Sequence, residues 1–345
     1  MKLKTSLAFT FGGIGLLLLF LGLLIYNGAF LDNVNPEKKS HELFIYKNSS
    51  LTNVIDSLKA RNILINPNNI ALISKILGYT DKSVKEGRYL IKPGMNNYSI
   101  LSKLRSGNQD PVKMTLNNVR DIQHLCGKIS GYLILDSLNL VDRLSDSSYL
   151  SEIGYTKENI LSLFIPNTYE LYWNTTFDKF IQRMQFENKK FWNTNGRAQK
   201  AAELNLKQSE VYTLASIVEK ETNFEAERPV IAGVYLNRLK TNMRLQADPT
   251  VVFALGVSGL QRVLLGHLSH VSPYNTYLND GLPPGPIYMP TINSLEAVLN
   301  PEKHDYIFFC AKEGFEGVHS YASTLKQHLQ NAKNYQRWLN QNRIK

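Results

Sequence analysis

Cysteine is nearly absent from this chain, with two cysteines among 345 residues. Two are too few for a disulfide framework, and Cys126 and Cys310 lack the spacing of metal ligands. We expect both thiols to be buried as small hydrophobic side chains, although an exported location would permit one bridge. The chain also lacks a Walker phosphate loop, a Gly-x-Ser-x-Gly turn and a His-Glu-x-x-His helix, so no metal or cofactor is indicated.

Basic runs with interleaved aromatic residues are also missing, despite a formal net charge of +10. Without a recognised nucleic-acid motif, this charge does not predict DNA or RNA as a partner. A basic surface outside a membrane equally suits an anionic polymer or lipid headgroups. With 43% hydrophobic and 20% charged residues, the chain can bury ordinary cores. Its length predicts two domains beyond its N-terminal segment.

One long uncharged run is present, at residues 5–31, directly after Lys2 and Lys4. About 20 apolar residues span a bilayer, so the run predicts a single transmembrane helix. A cleaved signal peptide is the alternative, but its apolar region is typically only about 7–15 residues long. The two lysines before the run predict a cytoplasmic tail at residues 1–4, with the rest of the chain outside the cytoplasm.

Residues 32–113 have the pattern of a small α/β module. Strand-like segments at 41–46 and 85–91 enclose two helical stretches, and a third helix ends near Gly107. The segment contains no catalytic cluster, so we interpret it as a binding or spacer module. From residue 114 onward the pattern is mostly helical with short strands, and the predicted fold class is therefore α+β.

The most informative pattern places a carboxylic acid on the apolar face of a helix. Leu214, Ile217, Val218 and Glu221 stand at i, i+3, i+4 and i+7, which is one stripe of an α-helix. A carboxyl group beside such a stripe is poorly solvated, so its pKa should rise and it can hold a proton near neutral pH. A general acid requires this property.

A simpler explanation of the same spacing stays open. Glu221 could be a solvated residue, or it could pair with a nearby arginine such as Arg228 or Arg238. Spacing alone does not decide, because a perturbed carboxylate is only a statistical marker of a functional site.

Several longer motifs resemble one family, the endolytic murein transglycosylases of the MltG (YceG-like) family. In the C-terminal two thirds they are SIVEKET (216–222), VYLNRL (234–239), RLQADPTV (244–251), YNTY (274–277), GLPPGPI (281–287) and His319-Ser320-Tyr321 with His328. EGRYLIKPGM (86–95) and KLRSG (103–107) match the LysM-like subdomain of that family. The resemblance implies a LysM-like subdomain at 32–113 and a catalytic domain at 114–345.

The resemblance assigns the catalytic acid to a glutamate of the EKET segment, which leaves Glu219 and Glu221. The apolar stripe selects Glu221, and Glu221-Thr222 is similar to the Glu-Ser or Glu-Thr pair of other lytic transglycosylases. The implied substrate is the glycan strand of nascent peptidoglycan, beside the membrane and peptidoglycan synthases. The implied products end in 1,6-anhydro-N-acetylmuramic acid.

Six further residues are candidates for substrate binding: Gln246, Asp248, Thr250, Tyr274, Asn275 and Tyr277. Structural explanations compete with each role. Asp248 before Pro249 is a typical helix start, with the aspartate as N-cap, and the tyrosines could be core aromatics. We expect His319 and His328 to be structural, because the implied reaction needs no second titrating base.

Two other functions remain possible on the sequence. A true muramidase would use water and a second carboxylate such as Asp248. A glycan-binding scaffold would make Glu221 incidental.

Overall fold

The computed structural model describes residues 2–37, 39–257, 260, 263–314 and 317–342, so Met1 of the predicted tail lies outside them. The chain divides into two compact units. Unit 1 comprises Met1–Lys113 and Glu170–Thr175, and unit 2 comprises Met114–Tyr169 and Thr176–Lys345. The return of Glu170–Thr175 to unit 1 was not predicted from the sequence.

Unit 1 is built on an antiparallel pair of strands with helices packed around it. Its elements are α1 (Lys2–Phe30), β1 (His41–Ile45), α2 (Leu51–Ala60), α3 (Ile70–Ile76), β2 (Gly87–Ile91) and α4 (Asn97–Ser106). The predicted strands and helices of this segment are confirmed within a few residues. Two further strands, β3 (Val112–Leu116) and β4 (Asn167–Leu171), pair with each other where the chain passes between the units.

Local signals explain where the helices of unit 1 begin and end. The Ser50 side chain accepts a hydrogen bond from the backbone of Asn53, which caps α2. Gly107 ends α4 with a φ of 73°, a conformation that glycine adopts without steric cost. Alternate residues of β1, including Leu43 and Ile45, are buried, as the period of two requires.

Helix α1 is long and apolar enough to cross a membrane. Among the described residues, Gly12–Phe30 alone meets this criterion of length and composition, and little of it is buried against the protein. A signal sequence would meet the same criterion. The predicted apolar helix is therefore present, and its orientation in a membrane stays a prediction.

Unit 2 is mostly helical. Its helices and last two strands are α5 (Ile122–Ser130), α6 (Ser137–Arg143), α7 (Ser147–Glu152), α8 (Phe177–Asn193), α9 (Arg197–Glu203), α10 (Gln208–Glu221), α11 (Arg228–Lys240), α12 (Asp248–Leu255), α13 (Leu265–Leu268), α14 (Ile292–Leu299), β5 (Phe308–Ala311), β6 (His319–Ala322) and α15 (Leu325–Gln341). The central helix is α10, which packs against α11, α12 and α14.

The core of unit 2 explains why α10 is rigid. Every residue from Val211 to Val218 is buried, and Tyr212 donates a hydrogen bond to the carbonyl of Phe164. Gly233 lets α11 approach the chain at residues 302–304. A Cβ there would come within 2.6 Å of His304 Nε2 and 2.7 Å of the Glu302 carbonyl oxygen.

Both cysteines lie in unit 2 as free thiols. Cys126 is fully buried, as expected, and burial raises its pKa to about 12. Cys310 lies on β5 and is partly exposed.

Candidate active site

The C-terminal end of α10 carries the predicted acid. Leu214, Ile217 and Val218 are fully buried, as are the residues between them, and Glu221 is the last residue of the helix. Thr222 follows as the C-terminal cap, with extended backbone angles. Glu221 as a whole residue is partly exposed, in contrast to the buried residues of the same helix.

Tyr235 on α11 is the hydrogen-bond partner of this carboxyl group. Its hydroxyl donates to Oε1 of Glu221 across 2.5 Å. The Tyr235 ring is buried and meets Phe309 of β5 edge to face, with centroids 5.9 Å apart. The second carboxyl oxygen, Oε2, is therefore the one left to carry a proton.

The surroundings raise the pKa of Glu221 to about 7. Burial is the main cause, and the negative charge of Asp248 acts in the same direction. The Tyr235 hydrogen bond and the positive charge of Arg238 act against it. A carboxyl group with this pKa is largely protonated at slightly acid pH and still loses its proton near neutrality, which suits an acid that later acts as a base.

The two arginines considered as ion-pair partners are engaged elsewhere. Arg238 is buried and donates to the carbonyls of Ile307 and Leu245, at 2.6 and 2.7 Å. Arg228 donates to the side chains of Thr291 and Asn293 at the start of α14. It also forms a long ion pair of 3.7 Å with Glu225, three residues earlier in the chain. Within the part of the chain that the structure describes, Glu221 forms no ion pair.

Glu219, the other glutamate of the EKET segment, holds α10 to α14. Its Oε2 accepts hydrogen bonds from the backbone of Thr291 at 2.6 Å, the Thr291 hydroxyl at 2.7 Å and the Ser294 hydroxyl at 2.8 Å. Thr291 is the N-cap of α14, so this carboxylate satisfies donors that the helix itself leaves unpaired. The geometry gives Glu219 a structural role.

Two segments lie together beside Glu221, and we call them the two loops: residues 244–250, which include the first turn of α12, and residues 274–280. The Tyr277 hydroxyl donates to Asp248 Oδ1 at 2.6 Å, and Arg244 binds both Asp280 and the carbonyl of Tyr277. Asp248 is exposed, and its charge influences Glu221. The expected N-cap role of Asp248 is wrong, because Ala247 is the N-cap and the Asp248 carboxylate faces Tyr277 instead.

Gln246 adopts a backbone conformation that side chains rarely occupy. Its φ is 49°, its backbone N–H binds the carbonyl of Thr276, and its side chain is exposed. Strain of this kind in a non-glycine residue concentrates at functional sites.

The other three predicted binding residues are built into the loops. Thr250 and Asn275 are fully buried. Thr250 binds the hydroxyl of Thr276 at 2.9 Å, and Asn275 donates to the carbonyls of Leu268 and His270. These two side chains thus stabilise the loops. Tyr274 is partly buried against the ring of Phe253, with centroids 4.7 Å apart.

Sequence reasoning missed Tyr235 and placed no function on Glu227. Residues 231–236 of α11 are all buried, so the sequence of α11 indicates a buried helix but does not distinguish Tyr235 from its neighbours. Glu227 lies in a short 3-10 turn directly before α11.

The two C-terminal histidines have structural surroundings. His319 Nδ1 lies 3.0 Å from Glu227 Oε2, and the ring of His328 stacks on Phe308. Across the described residues, no three His, Cys, Asp or Glu side chains stand close enough to hold a metal ion.

The fold and site together define a class. A partly shielded carboxylic acid at the end of a buried helix, with a tyrosine on one oxygen and polar loops beside it, is an arrangement of the kind that acid–base chemistry requires. A model of the YceG-like family matches residues 43–334, and the chain belongs to that family.

Relatives and a solved structure agree with this membership. The chain is 28% identical to the endolytic murein transglycosylase of Bacillus subtilis (strain 168), over 91% of this chain and 90% of the relative. It is 27% identical to the protein of the same name from Streptococcus pneumoniae serotype 2, of which it spans 63%. A crystal structure of a YceG-like protein from Listeria monocytogenes superposes with a TM-score of 0.56 and 27% identity, covering 85% of this chain and 99% of that one.

Proposed function

We propose that the protein is a lytic transglycosylase that cuts peptidoglycan glycan strands internally, with Glu221 as its single catalytic acid and base. The observation that carries the proposal is the carboxyl group of Glu221, partly shielded, hydrogen-bonded by Tyr235 and with its pKa raised to about 7. The names of the bacterial relatives supply the substrate class.

One carboxyl group suffices for this reaction. Protonated Glu221 donates its proton to the oxygen that leaves C1 of N-acetylmuramic acid, and the C1–O bond breaks through an oxocarbenium-like state. The resulting carboxylate then takes the proton of the C6 hydroxyl of the same sugar, and O6 bonds to C1. The product ends in a 1,6-anhydro ring, no water is consumed, and Glu221 is protonated again. Since the nucleophile belongs to the substrate, proximity contributes much of the rate.

The exposed groups beside the acid would bind the glycan. On the two loops, Gln246 and Asp248 are exposed and Tyr274 and Tyr277 are partly exposed. Thr250 and Asn275 would act indirectly, because their buried side chains fix the loops that carry the others. No cofactor or metal is required by this chemistry.

The rest of the chain would place the reaction at the cell membrane. Helix α1 would cross the inner (cytoplasmic) membrane once, with its N-terminus in the cytoplasm and the remaining residues on the outer, periplasmic side. Residues 32–113 would form a LysM-like subdomain, and residues 114–345 the catalytic domain. Acting on nascent strands beside peptidoglycan synthases, such an enzyme would limit strand elongation.

Product analysis tests the proposal. Full-length protein in detergent is incubated with purified peptidoglycan, beside Glu221→Gln, and the released muropeptides are weighed by mass spectrometry. Products one water lighter than hydrolysis products, absent with Glu221→Gln, support the transglycosylase. Reducing ends would instead indicate a muramidase, with Asp248 as the second carboxylate. Unchanged function in Glu221→Gln would favour a glycan-binding scaffold.

A further inference from the structure

Glu227 accepts hydrogen bonds from two separate parts of unit 2, the residue that ends α10 and strand β6. Its Oε1 accepts from the backbone of His319 at 2.8 Å and from the Tyr321 hydroxyl at 3.0 Å. Its Oε2 accepts from the Thr222 hydroxyl at 3.1 Å and faces His319 Nδ1 at 3.0 Å. We propose that Glu227 is a positioning residue that aims the carboxyl group of Glu221, an inference that rests on the proposed function.

The shortest path from Glu227 to the acid runs through Thr222. Thr222 is bonded directly to Glu221, caps α10 and is buried. Its hydroxyl donates to Glu227, with the carbonyl of Gly317 as a more distant acceptor at 3.5 Å, and accepts from the backbone of Phe224 at 3.0 Å. The end of α10 is therefore held by this hydroxyl immediately after the acid.

A second path runs through the C-terminal hairpin. His319 and Tyr321 lie on β6, which pairs with β5, where Phe309 stands opposite Tyr321. Phe309 packs against the ring of Tyr235, whose hydroxyl binds Glu221. Glu227 thus fixes both the backbone that carries Glu221 and the strand pair that supports its hydrogen-bond partner.

The charge of Glu227 fits this role. Its side chain is only 13% exposed. Burial alone would raise the pKa of this carboxyl group, but the donors from His319, the charge of that ring and the Tyr321 hydroxyl outweigh burial and lower the pKa. An ionised carboxylate only accepts hydrogen bonds, so it can satisfy all four donors together.

Matched substitutions at Thr222 test the inference without removing the buried charge. Thr222→Val keeps the shape and loses the hydroxyl, and Thr222→Ser keeps the hydroxyl. Glu227→Gln keeps the size of the side chain. It replaces one accepting carboxylate oxygen with an NH2 group, which would face the hydrogen-bond donors of Thr222, His319 and Tyr321. We expect Thr222→Val and Glu227→Gln to lower kcat about ten- to hundred-fold with KM within about twofold, since small misplacement of a catalytic group is costly. Thr222→Ser should restore kcat to within about threefold.

Tyr212→Phe is the control for general loss of stability. It removes a buried hydroxyl hydrogen bond from the other end of α10, away from Glu227. We expect it to lower the melting temperature and leave kcat unchanged.

Two results would overturn the inference: wild-type kcat in both Thr222→Val and Glu227→Gln, or a kcat loss in Thr222→Ser equal to that in Thr222→Val. Wild-type protein and Glu221→Gln are assayed in parallel. If the wild type forms anhydro ends and Glu221→Gln does not, the proposed function stands whatever happens at Glu227.

Discussion

The hydroxyl of Tyr235 donates to Oε1 of Glu221 across 2.5 Å, and Oε2 is left as the oxygen that carries the proton. Tyr235 is held in place by burial and by Phe309, so it fixes which side of the carboxyl group faces outward. The same bond favours the ionised form of Glu221 and opposes the effect of burial on its pKa. Orientation and acidity of the proposed acid therefore depend on one residue of the neighbouring helix.

Removing that bond should change the pH dependence of activity in one direction. Tyr235→Phe keeps the buried ring but removes the donor, so the pKa of Glu221 should rise above about 7. The acid must be protonated to act, hence the alkaline limb of kcat/KM should move to higher pH. We expect kcat to fall about tenfold, because the carboxyl group loses its orientation and is a poorer donor. If the alkaline limb of kcat/KM stays at the same pH in Tyr235→Phe, Tyr235 does not contact the proposed acid in solution.

Asp248→Asn should move the alkaline limb of kcat/KM to lower pH, opposite to the effect of Tyr235→Phe. The negative charge of Asp248 helps to raise the pKa of Glu221, so its removal should shift the alkaline limb of kcat/KM to lower pH. Tyr277→Phe is the matched control, because it removes the partner of Asp248 and keeps the charge. Salt should shrink the shift, since Asp248 is exposed. Complete loss of turnover in Asp248→Asn, with reducing ends in the wild type, would instead support the hydrolase.

Alanine substitutions at Glu219 and Glu221 should have different effects, the first mainly on stability and the second mainly on turnover. Glu219→Ala removes the acceptor of three donors at the start of α14, and we expect a loss of about 2–3 kcal/mol in the free energy of unfolding. The pH profile of the remaining activity should keep its shape. Glu221→Ala should abolish turnover and cost less stability than Glu219→Ala, because it leaves one buried donor, the Tyr235 hydroxyl, without its acceptor. Equal losses of activity at matched stability in the two variants would contradict the assignment of Glu221 as the acid.

The position of Glu221 at the end of α10 could be predicted from the sequence because it depends on one helix only. The spacing of Leu214, Val218 and Glu221 is a local property, and α10 follows it. The contact with Tyr235 is not local, because it requires two helices to face each other at a given rotation. The apolar sequence of α11 indicates a buried helix, but it does not show which residue of α10 each side chain meets.

Polar residues in the loops were harder to interpret for another reason. Thr250 and Asn275 have side chains that usually lie at the surface, yet both are fully buried and bind backbone or side-chain oxygens within the loops. Aspartate is a common N-cap residue, but the carboxylate of Asp248 accepts a hydrogen bond from Tyr277 and does not cap α12. Residue type predicted polar side chains and the start of a helix at Asp248, and only the tertiary contacts distinguish exposed groups from loop-stabilising ones.

The raised pKa of Glu221 should also appear in the stability of the protein. The folded pKa of about 7 exceeds an unfolded value of about 4.3, so the folded state binds this proton more tightly. The resulting stabilisation is complete below about pH 4.3 and is lost as pH rises through about 7. The glutamine of Glu221→Gln cannot ionise. The free energy of unfolding of this variant should therefore increase relative to that of the wild type as pH rises, by up to about 3 kcal/mol at pH 8.

Chemical denaturation of both full-length proteins in detergent, from pH 5 to pH 8, measures this difference. All other titrating groups are shared by the two proteins and largely cancel, so the slope of the difference against pH reports Glu221 alone. A difference that does not change with pH would mean that the folded protein leaves this carboxyl group with an ordinary pKa. The proposed acid would then be ionised at neutral pH, and protonation of the leaving oxygen would need another donor.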